Sequence, residues 1–150
     1  MSKEQLDTQS RANFYTKQST NKISYIAVGS ENGLIYVVLI PKPGKLQKLH
    51  ELSGHVSPIK SLNSLKSDFL LSGGEDGLVI LWNIPKGIQV VAWVPTYKTP
   101  VSIFSLAVHP TSQYFAALTM EGDIRVIKLT DEVKEKMANS EKYDEDSYTR

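Results

Sequence analysis

The chain contains no cysteine, which excludes a disulfide framework and any thiolate-held metal or cluster. It has no run approaching the ~18 consecutive apolar residues that a membrane-spanning helix needs. Its N-terminus, MSKEQLDTQSRANFYTKQSTN, is polar and lacks the apolar core of a signal peptide. These absences predict a protein of the cytoplasm or nucleus that makes no use of a membrane. An excess of one charge is also missing: 17 Lys and Arg face 16 Asp and Glu, a formal net charge of +1. No global field therefore draws the chain to nucleic acid or lipid. Gly-rich phosphate loops are absent too, since GSENG and SGGEDG are hairpin turns whose acidic residues repel phosphate.

What remains is ordinary globular material, 150 residues with 41% hydrophobic and 22% charged content, enough for one domain with a core. Three segments share a single pattern, in which an apolar run is followed by a polar turn ending in Gly and then a second apolar run. They are IAVGSENGLIYVVLI, LLSGGEDGLVILWNI and FAALTMEGDIRVIKL. The turn glycines, Gly33, Gly77 and Gly122, set a period of 44 and then 45 residues. Asn32-Gly33 and Asp76-Gly77 reach positive φ readily and mark tight hairpins. Leu78-Val79-Ile80-Leu81-Trp82 lacks alternation, as expected of a strand covered on both faces. Ile40-Pro41-Lys42 recurs as Ile84-Pro85-Lys86, each followed by Gly and a further apolar stretch. Four strands per period of this length predict a propeller blade.

At GHVSPIKSLNSLKSDFLLSGGEDGLVILWN, residues 54 to 83, the chain resembles a WD repeat from end to end. The Gly-His opening, the Ser-Gly-Gly-x-Asp-Gly turn and a closing Trp-Asn in place of Trp-Asp carry the resemblance. It implies an all-β fold, a partial β-propeller of about two and a half to three four-stranded blades. The expected boundaries are 23–52, 53–94 and 95–129, after a polar segment over 1–22. A charged tail over 130–150 follows, either helical near 131–142 or disordered. The first unit shows three strands, with Arg11 to Thr16 as a weak addition, the second shows four, and the third lacks its outer strand. Propellers need ~4 to 8 blades, so the expected partners are other proteins or the missing blades.

The resemblance also implies a hydrogen-bonded tetrad of His55, Ser72, Asp76 and Trp82, in which buried polar groups satisfy one another. The same residue types could form a catalytic His–Ser–Asp set. Against that, the flanking repeats carry Val28 and Ala117 in place of Ser72, and Val38 and Ile127 in place of Trp82. Apolar replacement is how a structural device behaves, so no catalytic residue, metal, cofactor or small-molecule substrate is expected. One face should present turns with Glu31, Ser57, Glu75, Tyr97 and Lys98 as a protein-binding surface, Tyr97 being a candidate anchor. The opposite face should carry Lys42, Lys45, Lys66 and Lys86, a basic patch open to RNA or an acidic partner. Two functions are thus expected from the sequence. The first is a non-catalytic interaction scaffold within a multiprotein complex. The second is a ribosome-assembly factor, because LLSGGEDGLVILW, VVAWVP and PVSIFSLAVHP are loosely similar to WD-repeat subunits of the nucleolar small-subunit processome.

Overall fold

The computed structural model describes residues 14–18, 24–42, 44–66, 68–97 and 99–147. Lys98 and most of the polar N-terminal segment lie outside these residues.

Among the described residues, eleven strands form three antiparallel sheets. The first runs in chain order through β1 (Phe14–Gln18), β2 (Ser24–Gly29), β3 (Ile35–Lys42) and β4 (Lys45–Leu52). The second contains β5 (Ile59–Leu65), β6 (Phe69–Gly74), β7 (Val79–Asn83) and β8 (Ile88–Trp93). The third contains β9 (Ile103–Val108), β10 (Tyr114–Thr119) and β11 (Ile124–Lys128). Every β6 and β7 residue is buried, because both faces of the middle sheet are covered. Side chains of a strand alternate between faces, and each face has its own core. Leu70, Ile80 and Trp82 pack upstream with Ala27, Ile35 and Val37 of the first sheet. Phe69, Leu71, Val79 and Leu81 pack downstream with Ile103, Leu106 and Phe115 of the third.

Two further devices fix how the sheets stack. At Gly29 and Gly73 a Cβ would lie 2.5 and 2.6 Å from Cγ2 of Ile59 and Ile103 respectively. Each glycine is thus a socket for the first residue of the next sheet's innermost strand. Ser61 and Asn63 then clamp the backbone of Leu106, whose N–H donates to Ser61 Oγ (3.1 Å). Its carbonyl accepts from Asn63 Nδ2 (2.7 Å). Both contacts satisfy backbone groups at a sheet-to-sheet seam.

Several elements differ from the sequence expectation. The first sheet has a fourth strand, β1, at Phe14–Gln18 rather than Arg11 to Thr16, pairing Phe14 with Val28 and Gln18 with Ser24. Pro41 and Lys42 extend β3 instead of turning, and the missing Pro N–H falls where the β3–β4 register shifts between Leu39 and Lys42. The charged tail forms helix α1 (Asp131–Ser147), longer than the stretch expected. Thr130 caps it, its Oγ1 accepting from Val133 N–H at 3.3 Å, and Asp131 and Glu132 complement the dipole in the first turn. Leu129, Val133 and Met137 are buried in the core between the second and third sheets, and α1 rests on β7 and β8.

Candidate functional site and relation to known proteins

The middle sheet carries a buried polar string. His55 enters from the loop before β5, Ser72 sits on β6, Trp82 on β7 and Asp76 in the β6–β7 turn. The Asp76 carboxylate can only accept, so His55 Nδ1, 3.0 Å away, carries the proton and donates. That leaves Nε2 as an acceptor for the Ser72 hydroxyl at 2.7 Å. Ser72 Oγ in turn accepts from the Trp82 indole N–H at 2.8 Å. Asp76 also accepts from the backbone N–H of Val56 (3.1 Å) and of Leu78 (3.0 Å). It therefore pins the incoming loop and its own turn together.

The chemistry open to this string is limited. Ser72 is completely buried, and its hydroxyl is committed to the imidazole while its lone pair takes the indole N–H. The His55 side chain is equally inaccessible, and that of Asp76 is 7% exposed. No substrate carbonyl reaches the hydroxyl, so the arrangement stabilises strands. Among the described residues no group of three or more His, Cys, Asp or Glu could hold a metal. No helix there is long and apolar enough to cross a membrane. Of the other histidines, His50 on the outer strand of the first sheet reaches the second, its Nε2 2.8 Å from the Pro85 carbonyl, and His109 makes a local contact, its Nδ1 2.8 Å from Thr111 Oγ1.

The loops around this string form a continuous row. Ile59 N–H donates to the Ser30 carbonyl (3.0 Å), Glu75 N–H to Pro58 (3.0 Å) and Met120 N–H to Ser102 (2.9 Å). Ser102 Oγ–H donates to the Glu75 carbonyl (2.8 Å), and Lys60 Nζ pairs with Glu75 at 3.0 Å. The row brings the turns of Glu31, Ser57 and Glu75 side by side. Tyr97 belongs to the loop that enters the row at Pro100, is 89% exposed and holds φ at 63°. Val56 and Met120, not singled out from the sequence, are exposed along the same row.

The expected basic face divides. Lys42 and Lys45 stand opposite one another in the β3–β4 hairpin and are both exposed, as is Lys66. Lys86 is different, because its Nζ is enclosed by protein and adds nothing to an exposed patch. Asn83, where the repeat ordinarily has Asp, accepts from Lys86 N–H at 3.1 Å. Its amide Nδ2 donates to Ser140 Oγ of α1 at 3.1 Å, a bond no carboxylate could donate.

Comparison with known proteins agrees with this geometry. Residues 46–83 match the WD40 family, described as WD domain, G-beta repeat. No curated protein matches the chain. Among solved structures, the fold is similar to the β-propeller domain of Myceliophteria thermophila Cps50 (Swd1), with a TM-score of 0.59 and 24% identity. The likeness covers 71% of this chain and 32% of that one, so the chain spans about a third of that propeller's length. With three sheets stacked through shared cores and a match to the WD repeat running from the outer strand of the first sheet into the second, the chain folds as part of a β-propeller.

Proposed function

We propose that the chain is a non-catalytic interaction platform, a blade set that holds protein partners within a larger assembly. The observation that carries this reading is the hydrogen-bonded loop row, a firm backbone displaying the exposed apolar side chains of Val56, Tyr97 and Met120. A tyrosine with 89% of its surface in water contributes nothing to its own core, whereas amphipathic aromatics dominate protein interfaces. The neighbouring His–Ser–Asp string supports the same conclusion, being consumed by strand stabilisation. The test is a quantitative comparison of proteins recovered with the wild-type chain and with Tyr97→Ala/Val56→Ser, at equal folded content by circular dichroism. Loss of a discrete set of partners supports the platform; an unchanged profile refutes it.

A role in an RNA–protein particle is the second reading, favoured by the paired exposed lysines Lys42 and Lys45. Counterion release makes RNA affinity fall steeply with salt. Lys42→Glu/Lys45→Glu should flatten that dependence, and RNA binding that is absent or insensitive to both changes rejects the reading.

A further inference from the structure

The second and third blades turn at the loop row by the same backbone scheme. Glu75 N–H donates to the Pro58 carbonyl at 3.0 Å, and Met120 N–H to the Ser102 carbonyl at 2.9 Å. Gly77 N–H closes its turn on the Gly74 carbonyl at 3.1 Å, as Gly122 N–H does on that of Thr119 at 3.0 Å. Each innermost strand then bulges near its start. Lys60 is skipped between the pairs Ile59–Gly74 and Ser61–Gly73, and Phe104 between Ile103–Thr119 and Ser105–Leu118. A bulge bends its strand and re-aims the extra side chain. In the second blade the re-aimed Lys60 meets Glu75 as an ion pair at 3.0 Å. In the third, the same two backbone places hold Phe104 and Met120, 56% and 58% exposed. An ion pair has given way to two apolar side chains in water. The neighbouring carboxylate differs too. Glu121 holds the place of Asp76 and Thr99 that of His55, so no imidazole takes up its charge, and Glu121 is exposed and unpaired among the described residues. A covering blade does not account for the pair. The third sheet already stands against the second, yet Lys60 and Glu75 remain 39% and 41% exposed, so this place stays open at a closed seam.

We propose that Phe104 and Met120 form a subsite for an apolar side chain with a Lys or Arg next to it, in an extended segment of a protein partner. The inference rests on the platform reading and gives that partner its chemistry. Single exposed apolar side chains are ordinary; two together, where the neighbouring blade keeps a charged pair, are not. The Phe104 ring supplies area at little conformational cost, and the Met120 thioether adapts its shape to what it touches. Glu121 adds the selective element. Its carboxylate attracts a basic residue beside the apolar anchor and repels an acidic one. It repels phosphate equally, so the subsite selects a protein segment over RNA. Lys60 and Glu75 neutralise one another and leave the local charge to Glu121.

The test pans a phage library of random dodecapeptides on the full chain and measures the enriched peptides by fluorescence polarisation. The expected consensus places Leu, Met or Phe next to Lys or Arg. Phe104→Lys/Met120→Glu installs the second blade's ion pair on the same backbone. It should keep the fold by circular dichroism and weaken binding at least about tenfold, as loss of a hot spot does. Glu121→Lys should erase the preference for a basic residue. Should the double variant lose folded content, Met120→Glu alone, at an exposed turn position, serves in its place. An acidic consensus, binding that survives Phe104→Lys/Met120→Glu, or no enrichment at all would overturn the proposal. Binding that survives that variant but fails with Tyr97→Ala/Val56→Ser overturns the subsite while the platform stands. The platform itself falls only when the partner comparison with Tyr97→Ala/Val56→Ser shows no change.

Discussion

Removing the hydroxyl of Ser72 tests the reading of the polar string most directly. Ser72→Ala removes a single oxygen, with little bulk and no charge, yet it strands two partners. The Trp82 indole N–H loses its acceptor at 2.8 Å and His55 Nε2 its donor at 2.7 Å. Both are buried in the middle blade, where neither can turn to water. Each unsatisfied group costs about 1–3 kcal/mol, so the substitution should destabilise by about 3 kcal/mol. For a chain of this length that corresponds to a fall in Tm of about 6–12 °C. Trp82→Phe removes the same N–H from the other side. In a double-mutant cycle followed by urea unfolding with circular dichroism, the pair should then cost about 1–2 kcal/mol less than the sum of the singles. A Ser72→Ala cost below about 1 kcal/mol, or additivity within about 0.5 kcal/mol, would refute the string as a stabilising unit.

Three other expectations follow from the packing. Gly77→Ala and Gly122→Ala both place a side chain at positive φ, 81° and 90°. That strain costs about 1–2 kcal/mol, but only Gly77→Ala also drives a Cβ into Pro100 and Val101, so thermal melts should rank it clearly the worse, and equal effects would contradict the seam. Met137→Ala should cost about 2–4 kcal/mol by chemical denaturation, since Met137 is buried between helix and blades; a change under about 0.5 kcal/mol would mean that α1 does not dock. The Tyr25 phenol is held above its ordinary 10.0 by burial first and by the charge of Asp68 second. Its contribution to stability is complete below the unfolded value and is lost as pH rises through the folded one; Asp68→Asn should lower its ultraviolet titration midpoint partway, and an unmoved midpoint would exclude the charge effect.

The parts of this fold written locally are the parts legible in the sequence. Asn32-Gly33 and Asp76-Gly77 announce hairpins because few other dipeptides tolerate that backbone, and the unbroken apolar run at Leu78 to Trp82 announces a strand covered twice. The connection of His55, Ser72, Asp76 and Trp82 enters the sequence reading only through the resemblance to a WD repeat, because three of the four lie far enough apart along the chain that local pattern does not join them. Strand β1 was harder, because Phe14–Gln18 is half polar and gains its order from pairing with β2. The seam clamps were invisible for another reason: Asn63 and Ser61 find Leu106 43 and 45 residues away, and nothing local distinguishes them from solvent-facing polar residues. Lys86 reads as a surface charge by type and turn position, yet its Nζ is enclosed. The docking of α1 depends on two apolar residues, Val133 and Met137, one turn apart in a strongly charged segment, a signal too sparse to specify its target.

The bond between Asn83 and Ser140 ties the helix that follows the third blade back to the second. Tension applied at the two ends of the chain would therefore not peel the third blade away by itself. The helix acts as a strap across the pair, and the second and third blades form one mechanical unit that resists or yields together.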